Sequence, residues 1–373
     1  MPRTIVVKVG TSTLTQATRH LSKPIMLEIV RQVAVLHHEG HRMILVTSGA
    51  MAAGREQLKQ NGFPAFLPVK QMLCAVGQSQ LMRLYSDLFG LYEVQVGQVL
   101  VTGDDLRRNR TRYLNARDTL NTLLAYQVVP IINENDTVAV DEIKVGDNDN
   151  LSALIASIVN ADLLLLLTDR EGLYDKDPRQ FPDAKRVEVV TQINDTIRSS
   201  ANGHSSSGLG IGGMQTKIQA AELAGRSGIE TVIGNGSTRD IILRIVNGES
   251  LGTRFLPSAP RVESRKRWLL SEPAQGKLMV DSGAVKVLFK NGASLLPVGV
   301  RQVEGQFPRG AIVAVEDFDG NKLAHGLTNY DSDELRRLCG VKSDQIEMVL
   351  GYTYGDEAVH RDNLALLQRE KNQ

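Results

Sequence analysis

"TIVVKVGTSTLT", residues 4–15, places a lysine inside an apolar run and follows it with a glycine and a row of hydroxyl side chains. The apolar run predicts a buried β-strand, which ends at Gly10. In an open α/β sheet, ligands bind at the carboxyl ends of the strands, so Lys8 is placed to meet an anion there. The alternative is an edge lysine whose stem packs along the sheet while its ammonium group reaches water.

Strand-like runs of this kind recur up to about residue 255, each separated from the next by a longer helical pattern. The runs are TIVVKVG at 4–10, MILVTSG at 43–49, VQVGQVLVT at 94–102, VVPIIN at 128–133, DLLLLLTD at 162–169 and ETVIGNG at 230–236. This alternation predicts an α/β fold in which helices cover both faces of a mainly parallel sheet.

The pattern changes after residue 255. Pro257, Pro260 and Pro273 surround the basic stretch RVESRKRW, which predicts a linker over 256–275 after a first domain at 1–255. From residue 276 the runs are short, punctuated by glycine and partly alternating. They predict a small β-rich barrel or sandwich with a helix or two and a C-terminal tail, spanning 276–373.

Composition places the chain among ordinary globular proteins. Its 373 residues are 42% hydrophobic and 23% charged, and this length suggests two or three domains. Lys and Arg number 43 against 42 Asp and Glu, which gives a net charge of +1. No overall field therefore favours a nucleic acid or an anionic membrane as a partner, and binding of a polyanion would have to be local.

The chain start, the cysteines and the histidines point to no export, membrane insertion or metal site. MPRTIVVKVG enters a strand directly and the longest apolar run, LLLLL, is too short to cross a bilayer, so a cytoplasmic location is expected. Cys74 and Cys339 form no C-x-x-C pair and are interpreted as reduced packing thiols. The stretch HHEGH at 37–41 is one residue short of the H-E-x-x-H zinc motif and is interpreted as a helix end.

Two further segments that open predicted helices suit an anion. In LVTSGAMAAGR, residues 45–55, Ser48 and a glycine open a predicted helix. For Ser48 this favours a role in anion binding over a role as a catalytic nucleophile. The alternative is that Ser48 only caps the helix. SSSGLGIGGMQTK, residues 205–217, lacks the strand of a dinucleotide motif and the residue order of a Walker loop. It still offers backbone amides, a hydroxyl and Lys217 to a polyanion, and the alternative is a flexible linker.

Two clusters of acids and amides follow the predicted strand VVPIIN. The first is Asn133 to Asp136, and the second is Asp147 to Asn150. The segment between them could return as a hairpin and bring the clusters together. An EF-hand is excluded by its missing Gly and Glu. Helix capping requires one such side chain rather than four, and carboxylates with amides suit a zwitterionic substrate, in which Asp receives an ammonium group and Asn receives carboxylate oxygens.

Taken together, these stretches closely resemble the glutamate kinases of the amino acid kinase family, and the C-terminal segment resembles their PUA domain. The stretches that carry the resemblance are VVKVGTSTLT, VTSGAMAAGR, YLNARDTL, PIINENDTVAV, IKVGDNDNLSAL, LLTDREGLY and GLGIGGMQTK. The resemblance implies an αβα sandwich followed by a β-rich PUA domain. Ile211 is a departure, because the family usually has Thr there; its hydroxyl contact to nucleotide would be missing, while backbone contacts would remain.

The resemblance also implies a reaction and a set of site residues. The reaction is transfer of the ATP γ-phosphoryl group to the side-chain carboxylate of L-glutamate, the first step toward proline, with Mg²⁺ bridging the phosphates. Lys8 and Lys217 would supply positive charge for this transfer, and Asp149 would orient both lysines. The residues that would bind glutamate are Ser48, Asp136, Asn148, Asn133 and Asp147. The residues that would hold ATP are Lys8, Thr168, Asp169, Ile211, Gly212, Gly213, Met214, Gln215, Thr216 and Lys217.

Two other functions stay open at this point. One is RNA binding through the PUA domain, although residues 276–350 carry 9 Lys and Arg against 10 Asp and Glu, a poor footprint for nucleic acid. The other is an amino-acid kinase with a different acyl acceptor. The resemblance further implies a homo-oligomer, dimeric or tetrameric, with feedback inhibition by proline. The labile acyl phosphate suggests a transient hand-over to glutamyl phosphate reductase.

Overall fold

The structure, a computed structural model, divides into two compact units. It describes residues 1–16, 18, 20–59, 62–64, 66–139, 148–200, 213–257, 269–270 and 273–367. The first unit comprises Met1–Arg108 and Asn115–Pro260, and the second comprises Asn109–Leu114 and Arg261–Gln373. The domain boundaries predicted from the sequence stay a prediction, and they do not include the grouping of 109–114 with the second unit.

Strands and helices alternate along the first unit. The strands are β1 (Thr4–Val9), β2 (Arg42–Thr47), β3 (Val96–Val101), β4 (Val129–Glu134), β5 (Leu163–Thr168), β6 (Val189–Val190), β7 (Glu230–Asn235) and β8 (Thr253–Phe255). The helices that lie between them in the chain are α1 (Thr11–Thr15), α2 (Lys23–His38), α3 (Ala50–Leu58), α4 (Leu67–Gly90), α5 (Gly103–Arg108), α6 (Arg110–Ala125), α7 (Asn148–Ile158), α8 (Asp195–Ser200), α9 (Met214–Arg226) and α10 (Ile241–Val246).

These strands form one sheet in the order β3-β4-β2-β1-β5-β7-β8-β6. Every neighbouring pair is parallel except β7 with β8. Each of the six runs predicted as strands overlaps one of them, so the predicted α/β class is confirmed. Because β1, β2, β4 and β5 are parallel and adjacent or nearly so, their carboxyl ends meet at one edge of the sheet.

The central strand β1 sends its side chains to two buried faces. Ile5, Val7 and Val9 lie in an apolar core with residues of α2 and α4. Since side chains alternate along a strand, Val6 and Lys8 face the opposite side. Every residue of β1 is buried. Lys8 is therefore a buried lysine in a hydrophobic strand, and its ammonium group requires a partner.

Two glycines allow α3 and α4 to cross at close range. A Cβ atom on Gly54 would lie 2.0 Å from the Leu73 carbonyl oxygen, and one on Gly77 would lie 1.8 Å from the Ala50 carbonyl oxygen. No side chain fits at such distances, so glycine is required at both positions. The crossing holds α4 directly beside the turn that follows β2.

The second unit is β-rich, as predicted. Its strands are β9 (Gly276–Val280), β10 (Val300–Glu304), β11 (Ile312–Glu316), β12 (Lys322–Leu327) and β13 (Leu364–Leu366), and its later helices are α11 (Ser282–Asn291), α12 (Ser332–Leu338) and α13 (Ile346–Leu350). The sheet order is β10-β9-β11-β12-β13, with β9 and β11 parallel and the other pairs antiparallel.

Two segments outside 276–373 also pack in the second unit. Leu269, which falls within the predicted linker, lies in an apolar cluster with Ile312 and Leu327. Arg110 Nε donates a hydrogen bond to the Gly310 carbonyl oxygen at 3.0 Å. Neither contact is visible in a residue pattern, since each joins positions far apart in the sequence.

Several smaller expectations can be compared with the structure. His37 and His38 form the last turn of α2, which confirms the predicted helix end. Cys74 and Cys339 are both free thiols, as predicted. Among the described residues, no helix is long and apolar enough to cross a membrane. The predicted hairpin between the two acid and amide clusters falls mainly on 140–147, outside the described residues.

Candidate functional site

Two lysines from distant parts of the chain share one carboxylate. Lys8 Nζ lies 2.5 Å from Asp149 Oδ1, and Lys217 Nζ lies 3.0 Å from Asp149 Oδ2. All three residues are at most 5% exposed. One negative charge thus faces two positive charges in a nearly dry site, and the surplus of positive charge suits an anion.

Electrostatics keep this carboxylate ionised. Burial by itself would raise the pKa of Asp149, but the ammonium groups of Lys217 and Lys8 outweigh it and hold that pKa well below its ordinary value. Thr216 Oγ1 adds a hydrogen bond of 2.8 Å to Asp149 Oδ2, shared with the Gly213 carbonyl oxygen. We call Lys8, Asp149, Thr216 and Lys217 the charged cluster.

Local structure explains how these residues meet. Lys8 comes one residue before the end of β1, and a Cβ on Gly10 would lie 3.4 Å from Lys8 Nζ, so the turn leaves room for the ammonium group. Asp149 lies in the first turn of α7, where the helix dipole favours a negative charge. Lys217 lies in the first turns of α9, and α7 and α9 pack against each other.

A second network of neutral groups adjoins the charged cluster. Asn148 Nδ2 lies 2.7 Å from the Thr47 carbonyl oxygen, 3.0 Å from Ser48 Oγ and 2.9 Å from Asn133 Oδ1. Asn133 Nδ2 in turn donates to Gln78 Oε1 at 2.9 Å. We call Gln78, Asn133, Asn148 and Ser48 the amide chain. It joins three of the predicted glutamate-binding residues to one another.

Helix α4 contributes residues that the sequence analysis does not predict. Besides Gln78, Gln71 Nε2 donates to the Thr137 carbonyl oxygen at 3.3 Å. Burial raises the pKa of the Cys74 thiol, and the neighbouring carboxylate of Asp136 raises it further. The sequence feature that could have revealed them is their spacing: Gln71, Cys74 and Gln78 are three and four residues apart, which places them on one side of α4. That spacing alone does not say what the side faces.

The predicted nucleotide residues occupy the same edge of the sheet. Thr168 ends β5, beside β1, and Thr168 Oγ1 donates to Asp169 Oδ1 at 3.1 Å. A Cβ on Gly236, just after β7, would lie 2.5 Å from Thr13 Cγ2, so glycine is required there. Asn235 Nδ2 donates to Glu171 Oε1 at 2.7 Å. Gly236 and Asn235 were not predicted as site residues, although both lie within the predicted strand run at 230–236.

Not every predicted residue joins these contacts. Gly213, Met214 and Gln215 lie at the start of α9, next to the charged cluster. Asp136 lies in the segment after β4, half-buried and next to Cys74. Asp147, Ile211 and Gly212 fall outside the described residues. Within those residues, no group of three or more His, Cys, Asp or Glu side chains is placed to hold a metal ion.

Comparison with known proteins identifies a family for each part of the chain. The amino acid kinase family matches residues 3–235, and the PUA domain matches residues 276–350. Among solved structures, the UMP kinase from Bacillus anthracis aligns over 69% of this chain and 98% of its own, at 14% identity and a TM-score of 0.47. A likeness that low supports no argument.

Relatives at much higher identity carry the name glutamate 5-kinase. The protein from Deinococcus radiodurans is 52% identical over 97% of this chain and 99% of its own length. Those from Cronobacter sakazakii and Proteus mirabilis are 51% and 50% identical, each over 97% of this chain and 98% of their own length. The chain therefore belongs to the amino acid kinase family, in its glutamate 5-kinase branch, and carries a PUA domain.

Proposed function

We propose that this protein transfers the γ-phosphoryl group of ATP to the γ-carboxylate of L-glutamate, forming γ-glutamyl phosphate and ADP. The relatives that share about half of its residues over nearly its whole length are named for this activity. The observation that carries the proposal is the charged cluster, in which Lys8 and Lys217 flank Asp149. The product would be the first intermediate on the route to proline.

The chemistry requires positive charge more than it requires a base. The γ-carboxyl of glutamate, with a pKa of about 4.3, is already ionised at neutral pH, so no proton has to be removed before attack. A carboxylate oxygen forms the new bond to the γ-phosphorus, while the bond to the β,γ-bridging oxygen breaks and its electron pair leaves with ADP. Two anions must approach each other, and the lysines offset their repulsion.

Asp149 is proposed as a positioning residue rather than a general base. Its carboxylate is held ionised between Lys217 and Lys8, which makes it a poor proton acceptor at neutral pH. By contacting both ammonium groups it fixes where the two positive charges point. Such preorganisation removes the reorganisation that free lysine side chains would otherwise undergo during the reaction.

Specificity for glutamate is proposed to depend on the free ammonium group of the substrate. Asp136, in the segment after β4, is the candidate carboxylate for that group, together with Asp147. An acetylated substrate would offer such a carboxylate no ammonium group. Ser48, Asn133 and Asn148 complete the proposed glutamate site, and Thr168 and Asp169 with residues 211–217 complete the proposed nucleotide site.

Mg²⁺ is proposed to enter with ATP, where it would neutralise part of the charge of the phosphates. Magnesium usually keeps several waters and binds through one or two carboxylates plus substrate phosphates. Asp149 does not suit this role, because both of its oxygens already contact lysine ammonium groups. Asp169, which is exposed at the end of β5, has the right donor chemistry.

The proposal extends to the surroundings of the enzyme. We propose a cytoplasmic homo-oligomer, dimeric or tetrameric, that passes its labile product to glutamyl phosphate reductase. The second unit would support regulation or assembly. RNA binding gains no support from the relatives, whose names describe a kinase.

A substrate screen tests the proposal. The purified full chain is given ATP and Mg²⁺ with glutamate, aspartate, N-acetylglutamate or UMP, and hydroxylamine traps any acyl phosphate as a hydroxamate. Hydroxamate and ADP should form in equal amounts with glutamate and far more slowly with the others. Preferential use of N-acetylglutamate or UMP would overturn the proposal.

A further inference from the structure

One side of α4 lines the segment that follows β4. Gln71 Nε2 donates to the Thr137 carbonyl oxygen at 3.3 Å, and Gln78 Oε1 accepts from Asn133 Nδ2 at 2.9 Å. Gln78 is thus the point where this helix joins the amide chain. Because glycines fix the crossing of α3 and α4, the Gln78 side chain starts from a rigid backbone position.

Backbone groups set the orientation of the Asn148 and Asn133 amides, and Asn133 in turn sets that of Gln78. The Thr47 carbonyl oxygen can only accept, so the atom of Asn148 that lies 2.7 Å away must be its amide nitrogen. The Glu134 backbone N–H can only donate, so the atom of Asn133 at 2.9 Å must be its carbonyl oxygen. The nitrogen of Asn133 then faces Gln78, and Gln78 must present its oxygen.

This orientation decides what Asn148 can offer to a substrate. Its amide has two hydrogens, and three protein acceptors lie within 3.0 Å of the nitrogen. The carbonyl oxygen of Asn148 has no donor among the described residues. Asn148 can therefore offer an acceptor and no spare donor, which suits an ammonium group and not a carboxylate. The sequence analysis expects the opposite, carboxylate oxygens on Asn.

Gln78 adopts this orientation at a cost to its own hydrogen bonding. Its Nε2 atom is buried and has no hydrogen-bond partner in the described part of the chain. Turning the amide over would place two donors face to face at Asn133 instead. An unpaired buried donor destabilises the fold, so stability alone does not explain a glutamine at this position. The arrangement suits a residue that serves the orientation of its neighbour.

We infer that Gln78 is a positioning residue for substrate selection: by accepting from Asn133 it holds the amide chain so that Asn148 presents its carbonyl oxygen to the α-ammonium group of the amino acid. The inference rests on the proposed function. Gln78 itself touches no reacting atom in this scheme. It acts through Asn133 and Asn148, which separates it from the lysines of the charged cluster.

The test compares Gln78→Met with the same change at Gln80, which lies two residues further along α4 and outside the amide chain. Methionine keeps the length of the side chain and removes its amide. The KM for glutamate should rise about three- to tenfold in Gln78→Met, the effect of losing one neutral hydrogen bond. In Gln78→Met, three other quantities should stay within twofold of the wild type: the KM for ATP, kcat at saturating glutamate and the urea midpoint. All four quantities should stay within twofold of the wild type in Gln80→Met.

A ligand without an ammonium group sharpens the result. Glutarate carries both carboxylates of glutamate and no amine, so its inhibition constant should be the same for Gln78→Met and wild type. Equal rises for glutamate and glutarate, or no rise for glutamate, would overturn the role of Gln78. If the wild type forms no hydroxamate from glutamate, the proposed function fails and the inference fails with it; a wild type active on glutamate isolates failure of the inference alone.

Discussion

Asn148 and Asp149 are consecutive residues in the first turn of α7, yet they belong to networks of opposite character. Asp149 joins the charged cluster, where two ammonium groups face one carboxylate in a buried site. Asn148 joins the amide chain, where every contact is between neutral groups. One turn of helix therefore links the group proposed to bind phosphate charge with the group proposed to bind the amino acid.

The two networks orient their side chains by different forces. In the charged cluster, direction comes from Coulomb attraction, which is strong in a buried site and tolerates small changes in angle. In the amide chain, direction comes from donor and acceptor polarity, which backbone groups at Thr47 and Glu134 impose. Changes in the charged cluster should therefore alter stability and turnover, and changes around the amide chain should alter substrate affinity.

The largest effect is expected for Asp149→Asn. It removes the negative charge that Lys8 and Lys217 share, and breaking such a buried pair typically costs about 3–5 kcal/mol. Urea unfolding at pH 7 should show a loss of this size in the free energy of unfolding. A loss below about 1 kcal/mol would contradict the compensation of charges described for the cluster.

The same variant has a pH signature whose sign follows from the lowered pKa of Asp149. A carboxyl with a folded pKa below its unfolded value, about 3.9, stabilises the fold fully above that unfolded value. The stabilisation is lost as the pH falls through the folded pKa. The difference in unfolding free energy between wild type and Asp149→Asn should stay level from pH 7 to 5 and shrink only below about pH 4.

Next in size are Lys8→Ala and Lys217→Ala. Each removes one preorganised positive charge, and we expect kcat to fall by about 10²–10³ while the fold stays intact. Initial rates with saturating ATP and glutamate measure the loss, and circular dichroism checks the fold. Lys290→Ala, at an exposed lysine of the second unit, is the matched control and should keep full turnover. Near-normal turnover in Lys8→Ala or in Lys217→Ala would contradict the proposed mechanism.

Asp136→Asn should alter the affinity for glutamate rather than the turnover. Losing a charged partner for the substrate ammonium group should raise the KM for glutamate by about ten- to hundredfold. The KM for ATP should change much less, because the nucleotide does not contact this residue in the proposed scheme. Asp344→Asn, an exposed change in the second unit, serves as control. Equal shifts in the two Michaelis constants would argue against Asp136 as the ammonium ligand.

The smallest effect is expected for Thr216→Val. The hydroxyl supplies one hydrogen bond to Asp149, shared with a backbone carbonyl, so its loss should lower kcat by about two- to tenfold. Thr216→Ser keeps the hydroxyl and should retain most of the turnover. If Thr216→Val keeps normal turnover while Thr216→Ser loses it, the methyl group and not the hydroxyl matters at this position.

The sequence predicts the charged cluster better than the amide chain. Lys8 inside an apolar run requires a partner, and the resemblance to glutamate kinases implies that Asp149 orients both Lys8 and Lys217. Nothing in the sequence states which end of the Asn148 amide faces the protein, because a backbone carbonyl decides it. Gln78 likewise resembles any polar residue on a helix until its partner Asn133 is known.

The division of roles between the two networks has one direct test: kcat and the KM for glutamate measured side by side for Lys217→Ala and Asp136→Asn. The two roles predict opposite patterns, with Lys217→Ala lowering kcat by about 10²–10³ at a KM within about threefold of wild type, and Asp136→Asn raising KM with kcat nearly kept. If kcat falls and KM rises to the same extent in both variants, the charged cluster and the amino-acid pocket are not separate parts of the site.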